Sequence, residues 1–195
     1  RLFEDHTIIT KEPLTDLEII EFDTNESLEA FNTDGLRTLL KTMSHVPNMK
    51  EKTLRYPGHA EKIQLLKDIG LFSEKTKSLN NYNFKPIDII AEILKKDWHL
   101  EEGEKEFTVM RIIMKNNDKQ VQVDLYDEYD IQTEITSMAR TTGYTCTAGA
   151  NLIINKLFNK TGVYPPELIS FEDNCYNFII NYLKERNVIL KTKTS

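Results

Sequence analysis

Glycine is scarce in this chain and nowhere clustered. The 195 residues hold seven, at positions 35, 58, 70, 103, 143, 149 and 162. None forms the close pair that a phosphate-cradling loop requires, and neither GxGxxG nor GxxxxGKS/T occurs. A dinucleotide is therefore not expected to be held by these residues. Cysteine is nearly absent too. Cys146 and Cys175 are far apart and no CxxC is present, which excludes a zinc ribbon or a disulfide framework and makes a reduced, cytoplasmic setting the default. HExxH and GxSxG are missing, and His6, His45, His59 and His99 stand alone, so no metal site is expected. There is no basic excess: the formal net charge is -6, against a nucleic-acid surface. No apolar run approaches the roughly 18 residues of a membrane span. An initiator Met and a signal-peptide core are also missing from RLFEDHTIITKEP, so the chain is expected to be a piece of a longer protein.

What is present is ordinary for a globular domain: 39% hydrophobic and 29% charged residues. LEIIEF (17–22) reads as a strand. NESLEAFNTDG then offers turn and cap chemistry at Asn25, Asn32, Thr33 and Asp34. GLRTLLKTM (35–43) predicts a short helix capped by Thr33 or Asp34. KEKTLRY (50–56) is extended, Pro57-Gly58 ends it, and HAEKIQLLKDIG (59–70) has helical spacing. KSLNNYNFK (77–85) reads as a loop. PIDIIAEILKKDW (86–98) is the clearest helix, with proline in its first turn. EFTVMRIIMK (106–115) and KQVQVDLYDE (119–128) predict a hairpin. Residues 131–158 read as one long helix or two, with Gly143 and Gly149 allowing close packing or a bend. GVYPPE is a turn, 171–187 a last amphipathic helix, and VILK a final strand. The order predicts an α+β fold: a mixed or antiparallel sheet with helices packed on one side, in a single domain spanning 1–195. Met110, Ile112 and Met114 on one face of the first hairpin strand, and Phe107, Val109 and Ile113 on the other, leave apolar surface that needs covering. Self-association is therefore expected.

Three arginine-bearing stretches could carry chemistry. In TDGLRTLL (33–40), Asp34 and Arg37 either line a pocket or serve as a cap and a solvated side chain. In TLRYPGH (53–59), Arg55 offers a planar donor fork to a carboxylate. Tyr56 could close over an aliphatic chain, and His59 opens a helix where anions are favoured. The plainer alternative is a strand end with surface charge. In SMARTTGY (137–144), Arg140 sits among small uncharged residues, either paired internally or facing an anion. Three such stretches suggest a substrate with more than one carboxylate.

LEAFNTDGLRTLL, KEKTLRYPGHAEKIQLLKDIGLF and TSMARTTGY, in this order, resemble the carboxy-terminal domain of the saccharopine dehydrogenase family, over roughly residues 17–190. The resemblance implies a domain of the glyceraldehyde-3-phosphate-dehydrogenase-like carboxy-terminal type. It implies a preceding Rossmann domain in the same chain, and a homodimer. It also implies hydride transfer between NAD or NADP and a secondary amine or imine of amino-acid type, with no cofactor bound by this segment alone. On these motifs Arg55 would grip a substrate carboxylate with Tyr56 and His59 beside it, His59 being the candidate acid or base. Asp34, Gly35 and Arg37 would support the same cleft or the domain interface, and Arg140 and Thr141 would contribute from the later helix. Relatives often have proline or small apolar residues after the last motif; this chain has TCT (145–147), which leaves the helix path open. A non-catalytic scaffold that keeps the fold is the alternative. Saccharopine, carboxynorspermidine and lysine-type dehydrogenases share these motifs, so the substrate is not specified further.

Overall fold

A computed structural model describes residues 1–23 and 27–195, which form two compact units, 1–99 and 100–195. The turn expected at Asn25 lies outside the described residues.

The first unit opens with a small hairpin, β1 (Leu2–Glu4) and β2 (Thr7–Ile9). β3 (Glu18–Glu21), β4 (Ser27–Asn32) and β5 (Lys52–Arg55) make an antiparallel sheet with β4 in the centre. Between β4 and β5 lies α1 (Leu39–Thr42), whose Leu40 joins Leu2, Phe3 and Leu36 in a buried cluster. α2 (His59–Asp68) follows β5, then the hairpin β6 (Lys77–Leu79) and β7 (Tyr82–Phe84), then α3 (Pro86–Asp97).

Three expectations need correction here. Residues 27–32 are a strand, not a turn. Leu28, Ala30 and Phe31 are all buried, so β4 is packed on both faces. Its end residue Asn32 is buried as well, and donates to Thr15 Oγ1 and Asp16 Oδ2 at 3.0 and 2.9 Å. Those tertiary acceptors remove the cost of burying an amide. Residues 77–84 are a hairpin, not a loop: Asn80 and Asn81 both adopt positive φ (49° and 67°), which a two-residue type I′ turn requires and asparagine tolerates. Thr33 and Asp34 do not cap α1, which begins only at Leu39 with Thr38 before it.

In the second unit β8 (Phe107–Lys115), β9 (Gln120–Glu128) and β10 (Leu190–Thr194) form an antiparallel sheet ordered β10-β9-β8. α4 (Ser137–Ile154), α5 (Pro166–Ile169) and α6 (Cys175–Lys184) lie between β9 and β10 in sequence. Directly paired residues share a face, so the register places Met110, Ile112 and Met114 on the same face as Leu125, Val123 and Val121. Leu125 packs with Leu183 and Val188 and with half-buried Tyr144, Ile179 and Leu190. Helices α4 and α6 thus cover one end of this face, while Ile112 and Met114 stay 43% and 51% exposed. On the opposite face Arg111 makes a two-pronged pair with Asp124, at 2.7 and 3.1 Å. α4 is one continuous helix of 18 residues. A Cβ added at Gly143 or Gly149 would meet nothing within 4 Å, so neither glycine serves close packing. The fold is α+β, as expected, and every named strand pairing is antiparallel.

Candidate functional site

The TLRYPGH stretch occupies the end of β5 and the start of α2. Arg55 is the last residue of β5 and is paired in register with Glu29 of β4. Pro57-Gly58 reverses the chain: Gly58 has φ +85°, a left-handed conformation that glycine adopts without steric cost. His59 opens α2, and its ring lies parallel to that of Phe31, with centroids 6.1 Å apart and planes 7° apart. Glu29, Phe31, Thr53 and Arg55 share one face of the β4–β5 ladder, and α2 begins above it.

Arg55 is exposed. Its Nη1 donates to the Leu54 carbonyl at 2.8 Å. Its Nε and Nη2 have no acceptor among the described residues, and no carboxylate there lies within ion-pair distance. That leaves one edge of the guanidinium open to an incoming anion, the edge that takes a carboxylate with two parallel bonds. Tyr56 is also exposed and at the same turn. His59 is half-buried. Burial, then the charge of Arg55, and to a lesser degree Lys62, hold its pKa below the usual histidine value, against an opposing pull from Glu29. The ring is therefore mostly neutral at pH 7 and able to accept a proton.

The anion position at the α2 N-terminus is already taken by the protein itself. Glu29 Oε1 accepts from the Ala60 amide at 3.2 Å, and Oε2 from the Gly58 amide at 3.4 Å.

The TDGLR stretch sits at the other end of the same ladder, roughly 10 Å along the strands from Arg55 by strand rise. Asp34 is exposed and pairs with Arg1 at 2.9 Å. Gly35 donates its amide to Glu51 Oε2 at 2.9 Å, and the same oxygen accepts from Thr33 Oγ1 at 2.6 Å. A Cβ at position 35 would lie 2.3 Å from Glu51 Cδ, so this carboxylate fits only against a glycine. Arg37 is exposed, with φ 49° and no partner among the described residues. Among the described residues ten other non-glycine positions share positive φ, so that feature alone marks nothing.

Arg140 and Thr141 belong to the second unit, on α4. Arg140 is buried and paired internally. Nε donates to both oxygens of Asp127 at 3.3 and 3.1 Å, Nη2 to Asp127 Oδ1 and to the Arg186 carbonyl at 3.1 Å each, and Nη1 to Asp130 at 3.0 Å. It borders an open hollow of about 630 Å³ whose other charged lining groups are Asp127, Glu128 and Asp130. An anion entering there would meet three carboxylates against one guanidinium. Thr141 spends its hydroxyl on the Ser137 carbonyl at 2.9 Å. Of the two readings of Arg140, internal pairing is the one observed.

Two residues that matter to the turn and the TDG loop, Glu29 and Glu51, lie within the stretches LEAFNTDGLRTLL and KEKTLRYPGHAEKIQLLKDIGLF, where residue type alone does not mark either as a support. The signal for Glu29 was indirect: a glycine N-cap has no side-chain oxygen, so the first turn of α2 must find an acceptor elsewhere. Among the described residues no group of three or more His, Cys, Asp or Glu side chains could hold a metal, and no helix is long and apolar enough to cross a membrane.

The family model described as "Saccharopine dehydrogenase C-terminal domain" matches residues 1–189. The chain belongs to that family, which is part of the saccharopine dehydrogenase-like oxidoreductases.

Proposed function

We propose that this chain is the substrate-binding and dimerisation domain of an NAD(P)-dependent oxidoreductase acting on the CH–NH bond of an amino-acid-type secondary amine, in the reducing cytoplasm. The observation that carries the reading is Arg55. It is an exposed guanidinium at a fixed turn, with its Nε/Nη2 edge unpartnered among the described residues and a neutral histidine four residues on. Such an edge suits the carboxylate of an amino-acid substrate.

The residues present do not fit a dinucleotide. Every named strand pairing is antiparallel, and among the described residues no βαβ unit offers a glycine turn to a pyrophosphate. In this reading NAD(P) is held by a separate nucleotide-binding domain of the same protein. This chain supplies orientation: Arg55 anchors a carboxylate, Tyr56 flanks the bound chain, and His59 takes up or returns a proton at the amine nitrogen. Asp34, Gly35 and Arg37 shape the far end of the ladder. Arg140 and Thr141 support the second unit rather than the ligand. Self-association would cover Met110, Ile112 and Met114, the part of the β8–β9 face that α4 and α6 leave open.

The test is turnover by the protein joined to its nucleotide-binding domain. NAD(P)H oxidation or NAD(P)+ reduction is followed with a panel of amino-dicarboxylates and their imine precursors. Turnover that requires a substrate carboxylate supports the reading. No turnover with any of the panel, in a protein that binds NAD(P)H, favours the non-catalytic scaffold.

A further inference from the structure

We infer that Glu29 is the positioning residue of the 53–59 turn: a strand carboxylate that caps α2 from outside the helix and thereby fixes Arg55 and His59 relative to each other.

The need for such a group follows from Gly58. The reversal after β5 demands φ +85° at the N-cap, which favours glycine and so removes the side-chain oxygen that a serine or aspartate cap would supply. The Ala60 amide, second in the helix, has no acceptor within the helix. Ala60 is only 1% exposed, so water is a poor substitute. Glu29 fills the gap, with one oxygen on Ala60 and the other on Gly58. One carboxylate thus grips the residues on both sides of His59, and its own backbone is the register partner of Arg55. Its negative charge also sits at the positive end of the α2 dipole.

This has a consequence for ligand choice, which rests on the function proposed above. With Glu29 in place, the α2 N-terminus is closed to a second anion. A substrate carboxylate must be taken by the Arg55 side chain, and the groups beside it see a carboxylate, Glu29, as well as two cations, Arg55 and Lys62.

Amide exchange and proton NMR on the 195-residue chain test the inference without turnover, so its failure is distinguishable from failure of the oxidoreductase reading. In Glu29→Gln, the charge is lost and only one carbonyl oxygen remains for two amides. Exchange at Gly58 and Ala60 should then accelerate about tenfold or more, as loss of a charge-assisted hydrogen bond implies, with Leu65 and Leu66 unchanged. The His59 ring should titrate lower than in the parent, since a raising charge is gone while Arg55 and Lys62 remain. Unchanged exchange at both amides, or acceleration spread evenly along α2, would each overturn the assignment.

Discussion

Arg140→Met is the substitution whose cost the geometry fixes best. The guanidinium makes four contacts with the carboxylates of Asp127 and Asp130 and one with the Arg186 carbonyl. Methionine keeps much of the stem's packing and removes all five. Asp127 is then the problem: its side chain is 4% exposed, and the substitution leaves that carboxylate without its cation. Breaking a buried pair from one side costs about 3–5 kcal/mol, because the partner's desolvation is no longer offset. Asp130 adds little, since it is more exposed and keeps the backbone amide of Gln132 as a donor at 2.9 Å. For a chain of this size about 3 kcal/mol lowers Tm by roughly 6–12 °C. Urea titration at pH 7 gives the free energy directly. Asp127→Asn in the Arg140→Met background should recover part of the loss by removing the stranded charge. A single-variant loss below about 1 kcal/mol would refute the reasoning. It would mean that Arg140 is not the counter-ion of a buried acid and is available to a ligand after all.

Two further outcomes follow from the same geometry. Gly35→Ala should cost about 1–3 kcal/mol, because the new methyl displaces the Glu51 carboxylate from the Thr33 hydroxyl and the Gly35 amide; a denaturation midpoint equal to the parent's would contradict it. Acid should destabilise the chain through its paired carboxylates. Hydrogen bonds from Lys11 and Asn32 hold the Asp16 pKa below the usual carboxylate value. The Gln132 amide does so for Asp130, and at Asp124 the Arg111 and Gln122 bonds outweigh the opposing effect of burial. Each contribution is complete above the unfolded-state pKa and is lost as pH falls through the lower folded value, so stability should drop on acidification below about pH 4. His59 adds to the same trend at higher pH. Its depressed folded pKa makes stability fall as pH drops from the unfolded histidine value through the folded one. Stability flat from pH 7 to pH 3 would exclude these assignments.

The elements easiest to read in the sequence were those with strong period and punctuation. α3 announces itself through Pro86 and the Ile87, Ile90, Leu94 stripe, and β9 through the alternation of Val121, Val123 and Leu125. β4 escaped because half of its reason to be a strand is tertiary. Asn32 looks like a turn residue until Thr15 and Asp16 are seen to accept its amide protons. The 77–84 hairpin escaped because its three-residue strands are largely exposed and carry no apolar alternation. In the site, Arg55 and His59 were legible from residue type beside Pro57-Gly58. Their support was not: Glu29 lies 29 residues before Gly58 in sequence, and only strand register brings it there. Arg140 shows the converse. Its small, uncharged neighbours in sequence suggested either of two roles, and the choice depended on Asp127, a strand residue on the other side of a turn.

The central claim, that Arg55 faces a substrate rather than the fold, is tested most directly by Arg55→Lys in the protein joined to its nucleotide-binding domain. Lysine keeps the charge and loses the paired donors. If the Nε/Nη2 edge grips a carboxylate, kcat/KM should fall about tenfold or more, a charged hydrogen bond contributing roughly 1.5–3 kcal/mol. The melting temperature should stay within about 2 °C of the parent, because Arg55 has no carboxylate partner among the described residues and its one hydrogen bond goes to a neighbouring carbonyl. Unchanged kcat/KM together with a clear loss of melting temperature would contradict the account and return Arg55 to the fold.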